Sequence, residues 1–171
     1  MKHLPLPLAS GIVALAFALA STSAWAGQPL ENATVSFGQW MSSPPLDRYP
    51  NFAGSPTTNV HALSPNVVTI KAGGSVNFII SGLHNIIVYD DGTQPTDINI
   101  ANTIPTTNPA PPVVPIIDDP NGRIYRGLDP TLQPSDRVEV VNFSEPGTYL
   151  VICGVLPHFQ EGMYGYVRVV P

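Results

Sequence analysis

The one cysteine of the chain opens the segment Cys153-Gly154-Val155-Leu156-Pro157-His158-Phe159-Gln160-Glu161-Gly162-Met163, which brings a thiolate, an imidazole and a thioether into a single short loop. Thiolate and thioether are soft donors suited to Cu(I), and imidazole suits both oxidation states. Two imidazoles, one thiolate and a weak axial Met make the blue-copper arrangement. A second imidazole is therefore required. His84, in Ser81-Gly82-Leu83-His84-Asn85-Ile86-Ile87-Val88-Tyr89, stands where a glycine turn opens a strand-like run. His61 lies in a polar stretch without ligand-like neighbours and reads as a solvated loop histidine. Glu161, between His158 and Met163, is an alternative oxygen donor in place of the thioether, and would make the site red rather than blue.

The thiol of a free cysteine titrates at about 8.5, so at neutral pH it must give up its proton to bind a cation. Alone, a buried cysteine is usually a small hydrophobe, and a Cys-x4-His pair is a weak metal signal. Met163 and His84-Asn85 on a β-rich chain are what raise it.

The elements that must position these groups read as strands. Runs rich in β-branched and aromatic residues occur at Thr34-Val35-Ser36-Phe37, Val67-Val68-Thr69-Ile70, Ser75-Val76-Asn77-Phe78-Ile79-Ile80, 85–89, 138–143, Tyr149-Leu150-Val151-Ile152 and 164–170. No helical period stands out. Lys71-Ala72-Gly73-Gly74 and Ser144-Glu145-Pro146-Gly147 are turn clusters of the kind that join antiparallel strands. About seven short strands between turns predict an all-β sandwich or Greek-key barrel.

One segment interrupts this rhythm. Residues 91–135 hold nine of the 20 prolines, including Pro109-Ala110-Pro111-Pro112-Val113-Val114-Pro115. A connection of that length is either functional or partly disordered. Its apolar pieces, Ile98-Asn99-Ile100 and 113–117, predict that part of it packs on the sandwich, and it is also a candidate surface for partner recognition.

The N-terminus reads as an export signal: a short basic start at Met1-Lys2-His3, an apolar run over 8–20, and the small-x-small end Ala24-Trp25-Ala26. The run is shorter than the roughly 20 residues of a membrane-spanning helix. Residues 1–26 are thus expected to be cleaved, leaving 27–171 as one domain with the insertion at about 91–135. A periplasmic or otherwise exported protein follows, with no membrane span in the mature chain. A lone cysteine in an oxidising compartment invites stray disulfides, and metal coordination is one account of its presence. Seven Lys/Arg stand against twelve Asp/Glu, and export removes Lys2. Such an acidic balance argues against a nucleic-acid partner, which needs clustered cations.

Gly147-Thr148-Tyr149-Leu150-Val151-Ile152-Cys153, followed by His158 and Met163 and preceded far upstream by His84-Asn85, resembles the cupredoxin family of plastocyanin- and azurin-like blue copper proteins. The resemblance covers roughly 67–89 and 138–171 and leaves the insertion outside. The Cys-x4-His-x4-Met spacing is similar to that of rusticyanin. It implies a Greek-key β-sandwich of the cupredoxin type and one copper ion, Cu(I)/Cu(II), at His84, Cys153, His158 and Met163. It further implies Asn85 bracing the ligand loops. Gly154 departs from the pattern, since many relatives carry a hydroxyl residue there and its hydrogen bond is missing here.

On this reading Cys153 gives the strong covalent bond, His84 anchors from a neighbouring strand, and His158 offers a ring edge near solvent as the electron route. The protein is then expected to be a monomeric carrier of single electrons in transient contact with a redox donor and acceptor, not an enzyme. A copper-binding or delivery protein using the same ligands is the alternative. With only His61, His84 and His158 left after export, imidazoles are too few for an additional catalytic copper.

Overall fold

A computed structural model describes residues 29–38, 61–108 and 113–171. The expected signal segment, 1–26, lies outside the described residues, as do 109–112 of the proline-rich run. The described strands are β1 (Leu30–Gly38), β2 (Leu63–Ser64), β3 (Val67–Ser81), β4 (Ile86–Asp91), β5 (Thr103–Pro105), β6 (Pro115–Ile117), β7 (Arg123–Arg126), β8 (Asp136–Phe143), β9 (Gly147–Cys153) and β10 (Tyr164–Val170). One short helix, α1 (Leu156–Gln160), sits between β9 and β10.

The expected all-β architecture is what the chain forms. Its strands run in the order β2-β1-β3-β10-β9-β4-β7, with β8 also paired to β3, so most neighbours in space are distant in sequence, as in a Greek key. The long strand β3 organises this. Its first part, Val67 to Lys71, runs parallel to β10, and its second part, Ser75 to Ser81, lies between parallel β1 and antiparallel β8. Lys71-Ala72-Gly73-Gly74, which reads as a turn in the sequence, is instead the point where one strand passes from one group of partners to the other. Strands that switch sheets through a bend make the corners of sandwiches.

Both groups of strands contribute to one core. Val35 and Phe37 of β1, Val76, Phe78 and Ile80 of β3, and Val141 and Phe143 of β8 join Ile86 and Val88 of β4, Val151 and Cys153 of β9, and Val167 and Val169 of β10. Burying each large apolar side chain contributes about 1.5–3 kcal/mol, which makes this interior the main source of stability. The second turn cluster, at 144–147, does not close a hairpin: β8 pairs with β3, whereas β9 pairs with β10 and β4, so the link passes between the two groups.

Strands β4 and β9 are buried on both faces. Their outer side chains, Ile87, Tyr89, Leu150 and Ile152, form a second apolar cluster with Ile98 and Ile117 of the insertion and Phe159 of α1. The insertion thus packs on the sandwich, and it also supplies β7, the edge partner of β4. Polar anchors hold it: Tyr89 Oη donates to the Asp119 carbonyl at 3.2 Å, and the buried Asp119 carboxylate accepts from Asn99 N and Asn121.

Asp129 ties the later part of the insertion to its middle. Its carboxylate accepts from Thr131 N and Oγ1 at 2.8 and 2.6 Å and from Thr107 N. Burial alone would raise this carboxyl, but the hydrogen bonds from Thr131 and Thr107 outweigh it and hold the group at about 2. A folded value below the ordinary carboxylate value, about 3.9, gives a stabilisation that is complete above that pH and lost as pH falls towards 2. We expect carbon NMR of the Asp129 carboxyl to titrate near the lower value. Asp129→Asn should remove its share of the thermal stability that varies with pH in this window; an Asp129 that titrates with the exposed carboxylates would contradict the tie.

Candidate metal centre

Cys153 closes β9 at the inner end of the sandwich and pairs across the ladder with Ile86, the first residue of β4. That register sets His84, two residues before β4, beside the thiol. The loop after Cys153 returns as α1 and β10, and the main chain closes it. Cys153 N donates to the Met163 carbonyl and Met163 N to the His158 carbonyl, each at 3.0 Å. His158 and Met163 are thereby held to one small loop. The five-residue helix that presents His158 has no helical period long enough to register in the sequence.

Three donors converge. His84 Nδ1 and His158 Nδ1 are 3.1 Å apart, and each is 3.6 Å from Cys153 Sγ. Among the described residues this is the group of His, Cys and acidic side chains gathered closely enough to hold an ion. Its spans match what three bonds of about 2.0–2.3 Å make at roughly tetrahedral angles. Cys153 and Met163 are fully buried in the same apolar cluster, and His84 is 5% exposed. This donor set fits a blue copper site.

No family model and no curated protein sequence matches the chain. Solved structures similar to it include dithionite-reduced auracyanin from the photosynthetic bacterium Roseiflexus castenholzii, at 20% identity over 84% of this chain and 100% of that one, with a TM-score of 0.48. Auracyanin A of Chloroflexus aurantiacus, described as a "blue" copper protein, is 19% identical over 84% and 100%, with a TM-score of 0.42. Plastocyanin from Dryopteris crassirhizoma is 19% identical over 80% and 99%, with a TM-score of 0.40.

Burial sets the protonation states of the metal-free donors. It lowers His84 to about 3, helped by His158, His61 and Arg137, and lowers His158 to about 4, helped by His61. Both imidazoles are therefore neutral at physiological pH, with lone pairs available. Burial pushes the Cys153 thiol up to about 12 despite opposing backbone N–H bonds from Asn85 and Val155 and the nearby Arg137 charge. A cation must displace that proton to bind the sulfur.

The surrounding residues fix the rings. A Cβ on Gly38, whose φ is +107°, would lie 2.9 Å from His84 Nε2, so only glycine lets β1 end against that imidazole. Phe37 meets the same ring edge-on at 5.8 Å. Asn85 braces the loops as the resemblance implies: Nδ2 donates to the carbonyls of Gly127 and Leu128 at 2.8 Å, and its own carbonyl accepts from Gly154 N at 2.6 Å. Its buried Oδ1 has no partner among the described residues. A Cβ on Gly154 would come within 2.3 Å of that oxygen and 2.8 Å of Ile87 Cδ1. Glycine thus admits the Asn85 side chain and leaves its oxygen without the hydroxyl donor.

One sequence expectation needs correction, and one alternative drops away. His61 is not a solvated loop histidine: its side chain is only 13% exposed, and its ring stacks on His158 with centroids 3.8 Å apart. Its Nδ1 pairs with the Glu161 carboxylate. Glu161, in turn, is mostly exposed and engaged with His61, so it does not join the three converging donors. One face of the His158 ring is consequently covered by His61. The segment carrying His61 is remote in sequence and bears no local pattern that places it there.

Gly154→Ala is expected to push Asn85 Oδ1 or the Ile87 tip aside and to destabilise the protein by about 1–3 kcal/mol in urea unfolding. An unchanged midpoint would contradict the tight fit. His61→Ala should strip the cover from His158, read in the metal-free protein as faster modification of His158 by diethylpyrocarbonate. An unchanged rate would mean that the stacked ring shields nothing.

Proposed function

We propose that this chain is an exported type 1 copper protein that binds one copper ion through His84, Cys153, His158 and Met163 and transfers single electrons between redox partners. The observation that carries the reading is the convergence of two neutral imidazoles and one thiol in a buried pocket, from segments about 70 residues apart in sequence. Copper in such a set cycles between Cu(I) and Cu(II).

The protein's part is to hold the donors still. Cys153 is fixed by the β9 ladder, His84 by Gly38, Phe37 and the Asn85 braces, and His158 by α1 and the His61 ring. A donor set that cannot relax favours one-electron transfer, because little rearranges between oxidation states. Met163, buried in the apolar cluster with Cys153, would supply the weak thioether donor and would tune the potential. The periplasm is the compartment that the export signal implies. Partners would dock transiently at the His158 end, over an interface of the small area usual for redox encounters. Among the described residues no helix is long and apolar enough to cross a membrane.

Delivery of copper to another protein is the second reading. It requires exchangeable donors, and a fully buried Cys153 with a nearly buried His84 favours retention.

Adding Cu(II) to the metal-free protein is expected to produce an intense visible thiolate-to-copper band that bleaches with ascorbate and returns on reoxidation. Cys153→Ser should abolish the band, and its persistence would sink the assignment. Met163→Leu should keep copper and raise the reduction potential; an unchanged spectrum and potential would show that the thioether is not axial.

A further inference from the structure

Strand β8 reads Asp136-Arg137-Val138-Glu139-Val140-Val141-Asn142-Phe143, and its buried residues Val141 and Phe143 face the core. Period two puts Arg137 and Glu139 on that same inward face, at the end of the sandwich that holds the donor cluster. Their side chains are only 10% and 13% exposed. Two inward charges on a core strand are costly unless every donor and acceptor is matched.

Here they are matched to the metal centre's own frame. Arg137 Nε donates to Glu139 Oε1 at 2.8 Å, Nη1 donates to the Pro134 carbonyl at 3.2 Å, and Nη2 donates to the His84 carbonyl at 2.7 Å. The other oxygen of Glu139 accepts from Tyr125 Oη at 2.9 Å. Gly127 makes room, since a Cβ there would lie 2.5 Å from Glu139 Oε2. Gly127 is also the residue whose carbonyl accepts from Asn85. One polar network thus links β8, the insertion and the His84-Asn85 loop.

We infer that Arg137, held by Glu139, is a positioning residue for His84 and the fixed positive charge that tilts the metal centre towards its less charged, reduced state. The inference rests on the copper reading above. An ordinary apolar pair would fill the same space without the cost of desolvating two charges, whereas a cationic donor both bonds the His84 carbonyl and stands as a positive charge beside the centre. A positive charge disfavours Cu(II) more than Cu(I), so its removal lowers the reduction potential, and removal of the neighbouring negative charge raises it.

The test uses the full mature protein as wild type, Arg137→Gln, Arg137→Lys and Glu139→Gln. Potentials are measured with copper bound, and amide exchange is measured on the metal-free forms. Arg137→Gln should lower the ratio of Cu(I) to Cu(II) affinity by about tenfold and Glu139→Gln should raise it, the effect of one unit charge roughly 12 Å away at an effective dielectric of about 20. Arg137→Lys, which keeps the charge, should stay near wild type in potential. Without metal, Arg137→Gln should speed exchange of the Asn85 amide by about tenfold, as expected for losing a hydrogen bond to a charged group. Should Arg137→Gln fail to fold, the Lys and Glu139 variants still decide the sign. If the wild type takes up copper with the intense visible band but both neutralising variants shift the potential the same way or not at all, the role of Arg137 is overturned while the copper reading stands. A wild type without that band overturns the copper reading and the electrostatic role with it, and the Asn85 exchange rate then reports independently on whether Arg137 holds the loop.

Discussion

Everything at the inner end of this sandwich depends on the antiparallel pairing of β4 with β9, in which Ile86 lies opposite Cys153. The pair is buried on both faces, by the main core on one side and by the insertion and α1 on the other. A strand enclosed in this way cannot slip by one residue without turning every side chain to the wrong face. The register is therefore rigidly specified, and with it the approach of His84 to Cys153. The distances between donors follow from the packing of Ile87, Tyr89, Leu150 and Ile152, although none of these touches a metal.

Burial at that end has a chemical consequence. Withdrawing water from the donors leaves both imidazoles uncharged and the thiol protonated. Two neutral nitrogens 3.1 Å apart are tolerable where two imidazolium groups would repel. A cation bound there would have to displace the thiol proton. The same low-polarity surroundings make nearby fixed charges matter. Arg137 is one that acts on both His84 and Cys153, and three acceptors hold it in place.

The insertion has a structural reason that its proline content obscures. It covers the outer face of β4 and β9 with Ile98 and Ile117, extends their sheet with β7, and brings Gly127 and Tyr125 under the His84 loop. Without it, four large side chains of the two central strands would face solvent. Its turns are fixed by short polar clamps such as Asp129 with Thr107 and Thr131, which is how a segment of little regular structure keeps a defined shape.

What the sequence by itself determined is local: the strand runs, set by β-branched residues in short blocks, and the Cys-x4-His-x4-Met loop, whose donors are close along the chain. Arg137 and Glu139 were also legible in principle, because period two aligns them with Val141 and Phe143, yet nothing local says that the inward charges would find the His84 carbonyl. Tertiary structure decided the rest. The double glycine at 73–74 reads as a turn, but β3 continues through it because parallel partners exist on either side. His61 and Glu161 looked like a loop histidine and a spare oxygen donor, and folding paired them over His158. Such contacts join residues as many as 100 positions apart, and no short-range propensity encodes them. They arise when buried strands fix which loops meet at one end of the sandwich.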